Sequence, residues 1–148
     1  MRLMVFGAHM AYMLIAPVNY TATITIVGGA GNTVPVYSTN IAYYIKTGRK
    51  CDLWIHNAGD GGAEGAGTGA FTIALPFESA STMASGDMAA GTFINGGNSA
   101  PIFAAIAASS TTMSLSYLSV GSIVAMSGAQ QNNTSRTFSL HVSYMTAI

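Results

Sequence analysis

The sequence predicts an all-β chain folded as a single antiparallel β-sandwich or jelly roll, preceded by a hydrophobic N-terminal arm. Three observations predict it. Apolar and polar residues alternate with period two in run after run. Clusters of glycine, asparagine and proline separate the runs at about the 8–12-residue spacing of sandwiches and barrels. No stretch carries the 3.6-residue apolar repeat of a helix of useful length.

The first run follows Asn19: Tyr20, Ala22, Ile24 and Ile26 alternate with Thr21, Thr23 and Thr25, a strand with β-branched residues on both faces. Gly28, Gly29, Gly31 and Asn32 end it, and Pro35, which has no N–H for a ladder, keeps the next piece at an edge or in a loop. Strands are expected at 41–47 and 49–57, joined by a tight hairpin through Thr47, Gly48 and Arg49. In the second of these, Cys51, Leu53 and Ile55 share one face, while Asp52, Trp54 and His56 share the other.

Residues 58–69 hold six glycines in twelve positions. Glycine loses too much backbone entropy for that to be a regular element, so a loop or a broad hairpin tip is expected. Alternation resumes over 70–75 and stops at Pro76. The following 77–100 stretch is rich in Ser, Gly, Met and Ala. It should hold a helical turn within 84–90, a short strand at 92–94 and a turn at Asn95-Gly96-Gly97-Asn98. Further strands are expected at 102–107, 113–118 and 122–126, then a polar loop over 130–135. The last strand, 137–145, places Phe138, Leu140, Val142 and Tyr144 opposite Ser139, His141 and Ser143. Most of Tyr43, Tyr44, Phe71 and Tyr117 are expected in the core, where aromatics dominate the packing. About eight short strands result. No linker or fixed-period repeat divides residues 19–148, which read as one domain behind an arm of residues 1–18.

Charge is the scarcest ingredient: five Lys or Arg and five Asp or Glu make 7% of 148 residues, against about 25% in ordinary domains. Disorder is excluded, because it needs high charge and low hydrophobicity. Nucleic-acid binding is disfavoured, since Arg2, Lys46, Arg49, Lys50 and Arg136 are the whole supply of phosphate-neutralising groups. The outward strand positions are Thr and Ser, seldom Lys or Glu. Charge is what normally blunts sheet edges, so these faces are expected to meet other protein, with a homotrimer as the natural closed arrangement.

The arm contains Arg2 and then mostly apolar residues, a layout similar to a signal peptide, but Gly7 and His9 interrupt it and no small-x-small site precedes Asn19. It falls short of the roughly 20 apolar residues of a spanning helix, so no membrane role is read from it. Gly7-Ala8-His9-Met10 also resembles a cloning remnant, although Met1 to Phe6 stand ahead of it. We read residues 1–18 as an arm buried against a neighbouring subunit, with Met4, Phe6 and Tyr12 as its contact residues.

Candidate chemistry is sparse. Cys51, the lone cysteine, reads as a small buried hydrophobe. The glycine-rich loop lacks the Gly-Lys-Ser/Thr ending of a phosphate-binding loop, and its Asp60 and Glu64 would repel phosphate. Those two carboxylates could offer oxygen to a cation, but a solvated loop explains them as well, and no metal or other cofactor is expected. His56, Asp52 and a serine could form a hydrolase triad. Yet no Gly-x-Ser-x-Gly elbow occurs, paired carboxylates at glycosidase spacing are missing, and His9, His56 and His141 follow no zinc-ligand spacing. The chain is therefore expected not to be an enzyme. The patterns at Asn19-Tyr20-Thr21 and Asn132-Asn133-Thr134 match a glycosylation acceptor, in a sequence where Asn and Thr are common enough for chance. Trp54 stands apart: its parity points it outward, as an interface anchor or a sugar-stacking platform.

Residues 21–76 resemble a module of tailed-bacteriophage virion proteins. The resemblance rests on a Thr-rich opening strand, the hairpin Tyr44-Ile45-Lys46-Thr47-Gly48, an alternating strand, a Gly-rich loop and the ending Ile73-Ala74-Leu75-Pro76. It implies a trimeric β-sandwich on a head or a tail fibre, and supplies no catalytic residues. Fibre relatives carry the module at the end of a longer chain; here it follows a hydrophobic arm. The expected role is thus a head decoration, or cement, protein on the virion surface, in contact with the major capsid protein or other virion proteins. The alternative is a tail-fibre tip that recognises host surface glycans.

Overall fold

A computed structural model describes residues 15–83 and 87–147. Ten strands and one short 3₁₀ turn account for its regular structure. They are β1 (Val18–Asn19), β2 (Ile24–Val27), β3 (Thr39–Thr47), β4 (Lys50–Ala58), β5 (Ala70–Ala74), β6 (Asp87–Asn95), β7 (Asn98–Ala105), β8 (Thr112–Ser119), β9 (Ser122–Ala125), the turn Gly128–Gln131 and β10 (Thr137–Met145). The all-β antiparallel class expected from the alternation is the class observed: every strand pairing is antiparallel. The arm residues Met4, Phe6 and Tyr12 lie outside the described residues.

All ten strands belong to one sheet in the order β1-β3-β4-β10-β6-β7-β8-β5-β2, with β9 paired to β8 beside β5. The sheet curls until its two ends approach each other. The segment 18–27 makes this plain, since its first residues pair with β3 at one end and its last with β5 at the other. Between them the Tyr20 N–H donates to Ala42 O at 2.9 Å, and the Tyr20 hydroxyl to Ala74 O at 2.6 Å.

Inward parity builds the core. Cys51, Leu53 and Ile55 of β4 meet Phe71 and Ile73 of β5, Ile102 and Ala104 of β7, Met113 and Leu115 of β8, and Phe138 to Tyr144 at alternate positions of β10. Burial of such side chains contributes roughly 1.5–3 kcal/mol each. Phe138 is gripped edge-on by Tyr37 and Phe71 at centroid distances of 5.5 and 5.8 Å. Cys51 is fully buried, and burial pushes its thiol pKa up, in keeping with a packing role.

Four sequence expectations change. The helical turn expected within 84–90 is overturned at its C-terminal part, where 87–90 open β6; pairing with β7 along almost the whole strand outweighs the small-residue composition. The short strand at 92–94 is the middle of that nine-residue β6. Of the single run 20–26 only 24–26 form strand, in β2, because residues 20–23 cross from the β3 end of the sheet, where Val18 and Asn19 pair, to the β5 end. Tyr43 leaves the core, because the registers Asn19↔Tyr43 and Tyr43↔Trp54 turn it to the outer face, while Ala42 and Tyr44 face inward.

The hairpins fall where turn residues allow them. Gly96 and Gly97 both have positive φ (57° and 87°) between β6 and β7, the backbone a two-residue hairpin requires. The β8–β9 turn is less orthodox. Val120 takes φ 45° ahead of Gly121 at φ 80°, a conformation a β-branched residue adopts only under strain.

Candidate functional site on the outer face of β3, β4, β10 and β6

Adjacent strands place side chains in rows across the outer face. One row is Tyr43, Trp54 and His141; the next is Ile41, His56, Ser139 and Thr92; a third is Ile45, Asp52 and Ser143. In the first row the rings stack. Tyr43 lies against Trp54 with centroids 5.1 Å apart and planes at 17°, and Trp54 against His141 at 4.5 Å and 2°. Because β3 and β10 flank β4 on opposite sides, the two neighbours cover opposite faces of the indole. Trp54 therefore faces outward, as its parity predicts, but offers no open ring face for a sugar to stack on.

Beside this ladder runs a mostly apolar groove of about 410 Å³. Ile41, Trp54, His56, Thr92, Ser139 and His141 are among its walls. Its space comes from β6, where the register shifts between Ala89 and Gly91 and only small residues stand. At Gly91 a Cβ would sit 1.9 Å from Ser139 O, so the absence of a side chain is what lets β6 approach β10 here.

The polar groups in and around the groove form two separate sets. His56 Nδ1 and Ser139 Oγ are 2.6 Å apart in a hydrogen bond. Asp52 is committed elsewhere: it accepts from Ser143, lies 3.0 Å from Lys50 Nζ and is 3.8 Å from His141 Nε2. Partial burial pushes the Asp52 carboxyl up, but hydrogen bonds from Ser143 and Lys50 and the nearby charges outweigh this and leave its pKa below the usual value. The serine and histidine thus meet without the aspartate that a triad would need. His9 lies outside the described residues, and among the described residues no cluster of three His, Cys, Asp or Glu side chains could hold a metal ion.

The glycine-rich loop is exposed over residues 60–64, as a solvated loop is, and is anchored from within the fold. Arg136, wholly buried, reaches into it: Nη1 donates to Asn133 O at 2.9 Å, and Nη2 donates to Ala63 O at 2.7 Å and to Val36 O. Asp60 Oδ1 lies 3.3 Å from Nη2 and also accepts from the Gly62 N–H at 2.9 Å. Asp60 is therefore the loop's internal counterion, and Glu64 stands exposed without joining it. The guanidinium also sits over the Tyr37 ring, 5.5 Å from its centroid. Burial pushes the Tyr37 hydroxyl far up against the opposing effect of that charge, and the hydroxyl donates to Gln131 Oε1 at 2.8 Å.

Apolar exposure is spread beyond the groove. Ile41 is 53% exposed, and the β8–β9 hairpin presents Leu118, Val120, Ile123 and Val124 to solvent. Among the described residues no helix is long and apolar enough to cross a membrane. Comparison of the chain with protein-family models, curated proteins and solved structures finds no match in any of the three.

Proposed function

We propose that the chain is a non-enzymatic structural protein that works as an assembly of identical copies, a homotrimer decorating and stabilising a phage head. One observation carries the association: the outer face of β3, β4, β10 and β6 presents exposed Ile41, Ile94 and Met145 beside the half-buried rings of Tyr43 and Trp54, with charge confined to the Lys50–Asp52 end. A surface of this kind is stabilised by being covered, at roughly 25 cal/mol for each Å² of apolar area removed from water. The virion setting rests on the sequence resemblance over residues 21–76. The alternative setting, a tail-fibre tip that binds glycans, gains no support from Trp54, whose two faces are already taken by Tyr43 and His141.

Sedimentation velocity at micromolar concentration tests the association. A mass of three chains is expected, and a single-chain mass overturns the proposal. For the setting, the copy number of the chain in purified particles is decisive: hundreds of copies accord with the head, a few to a few dozen with the tail.

A further inference from the structure

We infer that the outer-face groove is the seat of residues 1–14 of a neighbouring copy. The inference rests on the reading of the chain as a self-associating module, and it names what fills the groove.

Chemistry matches the two. The groove is mainly apolar, with His56 and Ser139 hydrogen-bonded to each other and Tyr43, Thr92 and His141 as its other polar side chains beside Trp54. Residues 1–14 carry one formal charge, at Arg2, among Leu3, Met4, Val5, Phe6, Met10, Tyr12, Met13 and Leu14. Methionine and phenylalanine suit an irregular apolar slot, the first because its unbranched chain adapts its shape.

Chain direction favours a neighbouring copy as the source of the segment. β1 runs antiparallel to β3, with Asn19 opposite Tyr43 and Val18 opposite Tyr44. Moving toward lower numbers therefore means moving along β3 toward Thr47 and the Gly48 turn. The groove lies the other way, at the level of Ile41 and Tyr43. A chain's own segment leaves its own groove behind and would have to double back to enter it. A neighbour's segment meets no such reversal.

Reach is sufficient. Fourteen extended residues span at most about 46–50 Å, whereas a domain of this length has a radius of gyration of only about 15 Å. Passing a segment from each copy to the next is a heterologous contact, which closes into a ring when the rotation allows. A trimer built this way has three grooves and three segments, with none left over.

The test uses full-length chains bearing single cysteines, because Cys51 is buried and does not compete. Phe6→Cys in one preparation and Thr92→Cys in another are mixed, allowed to exchange copies and oxidised mildly, with Met4→Cys and Tyr12→Cys as alternative positions. A disulfide between the two kinds of chain is expected in the mixture. It should be absent when Thr92→Cys is replaced by Thr134→Cys, which lies in the polar loop before β10 and is not part of the groove wall. If Phe6→Cys and Thr92→Cys on one chain link internally under dilution that leaves single chains, the segment seats in its own groove and the inference fails. If the mixture sediments as an oligomer but none of the three segment positions links to Thr92→Cys, the inference also fails while self-association stands. A single-chain mass for the unsubstituted protein overturns both.

Discussion

Replacing Arg136 with methionine isolates the contribution of the cation that holds the glycine-rich loop. Methionine keeps much of the stem volume, so the loss is chiefly polar. Three backbone carbonyls, those of Asn133, Val36 and Ala63, lose a charged donor, and Asp60 loses its counterion. Removing one member of a buried ion pair costs about 3–5 kcal/mol, mostly because the other charge is left stranded. Here the Asp60 side chain is 43% exposed and can be hydrated, which places the expected loss near the lower bound, about 3 kcal/mol. For a domain of this size that is a fall in Tm of roughly 6–12 °C. Asp60→Asn should cost no more than about 1 kcal/mol, since a half-exposed partner contributes little. Thermal and urea unfolding would be compared at one fixed protein concentration, because association makes Tm concentration-dependent. A Tm for Arg136→Met within a degree or two of the parent, or an Asp60→Asn variant that loses as much as Arg136→Met, would refute the assignment of Arg136 as the anchor.

Three further outcomes are expected. Gly91→Ala forces a Cβ against Ser139 O and should destabilise by about 3 kcal/mol or more through a strained β6–β10 pairing, read as a drop in Tm; an unchanged Tm would show that β6 can slide. Asp52 has a folded pKa below its unfolded one, so its contribution is present above the unfolded pKa and lost as pH falls through the folded one. Asp52→Asn should therefore lower the urea midpoint at pH 7 and narrow the gap between pH 7 and pH 3, whereas an equal loss at both pH values would contradict this. Val120→Asn relieves a β-branched residue held at φ 45° and should raise stability by up to about 1 kcal/mol; an unchanged or lower Tm would show that the turn stores no strain for the substitution to relieve.

The parts of the fold legible in the sequence are those in which apolar and polar residues alternate without ambiguity. Cys51, Leu53 and Ile55 against Asp52, Trp54 and His56 read correctly, and so did the two faces of β10. In 41–45, Ile41, Ala42, Tyr43, Tyr44 and Ile45 are apolar on both parities. Only pairing with β1 and β4 decides that Tyr43 turns outward. The start of β6 was hidden because Asp87 to Gly91 lacks both alternation and β-branched residues; its strand form comes from pairing with β7 and β10. Arg136 follows the polar run Asn132 to Ser135 and looks solvent-facing, yet Val36 and Asp60, two of its partners, stand 100 and 76 residues away. The groove was illegible for the same reason, since its walls come from four strands spread over 100 residues of chain, from Ile41 to His141. Trp54 was the one visible signal, and its neighbours in the ladder were not.

The position of β10 has a consequence for how the molecule can be made. The last strand in sequence lies between β4 and β6, near the middle of the sheet order. During synthesis β3 and β4 can pair early as a hairpin, and β6, β7 and β8 can join as a meander. Until residues 137–145 emerge, however, β4 and β6 each present an open edge with almost no charge to discourage pairing with another nascent chain. Completion of the sheet is thus tied to the emergence of residues 137–145. A premature stop between Ala125 and Thr137 would leave two half-sheets with sticky inner margins, and such products should accumulate as aggregates rather than as shortened but folded protein.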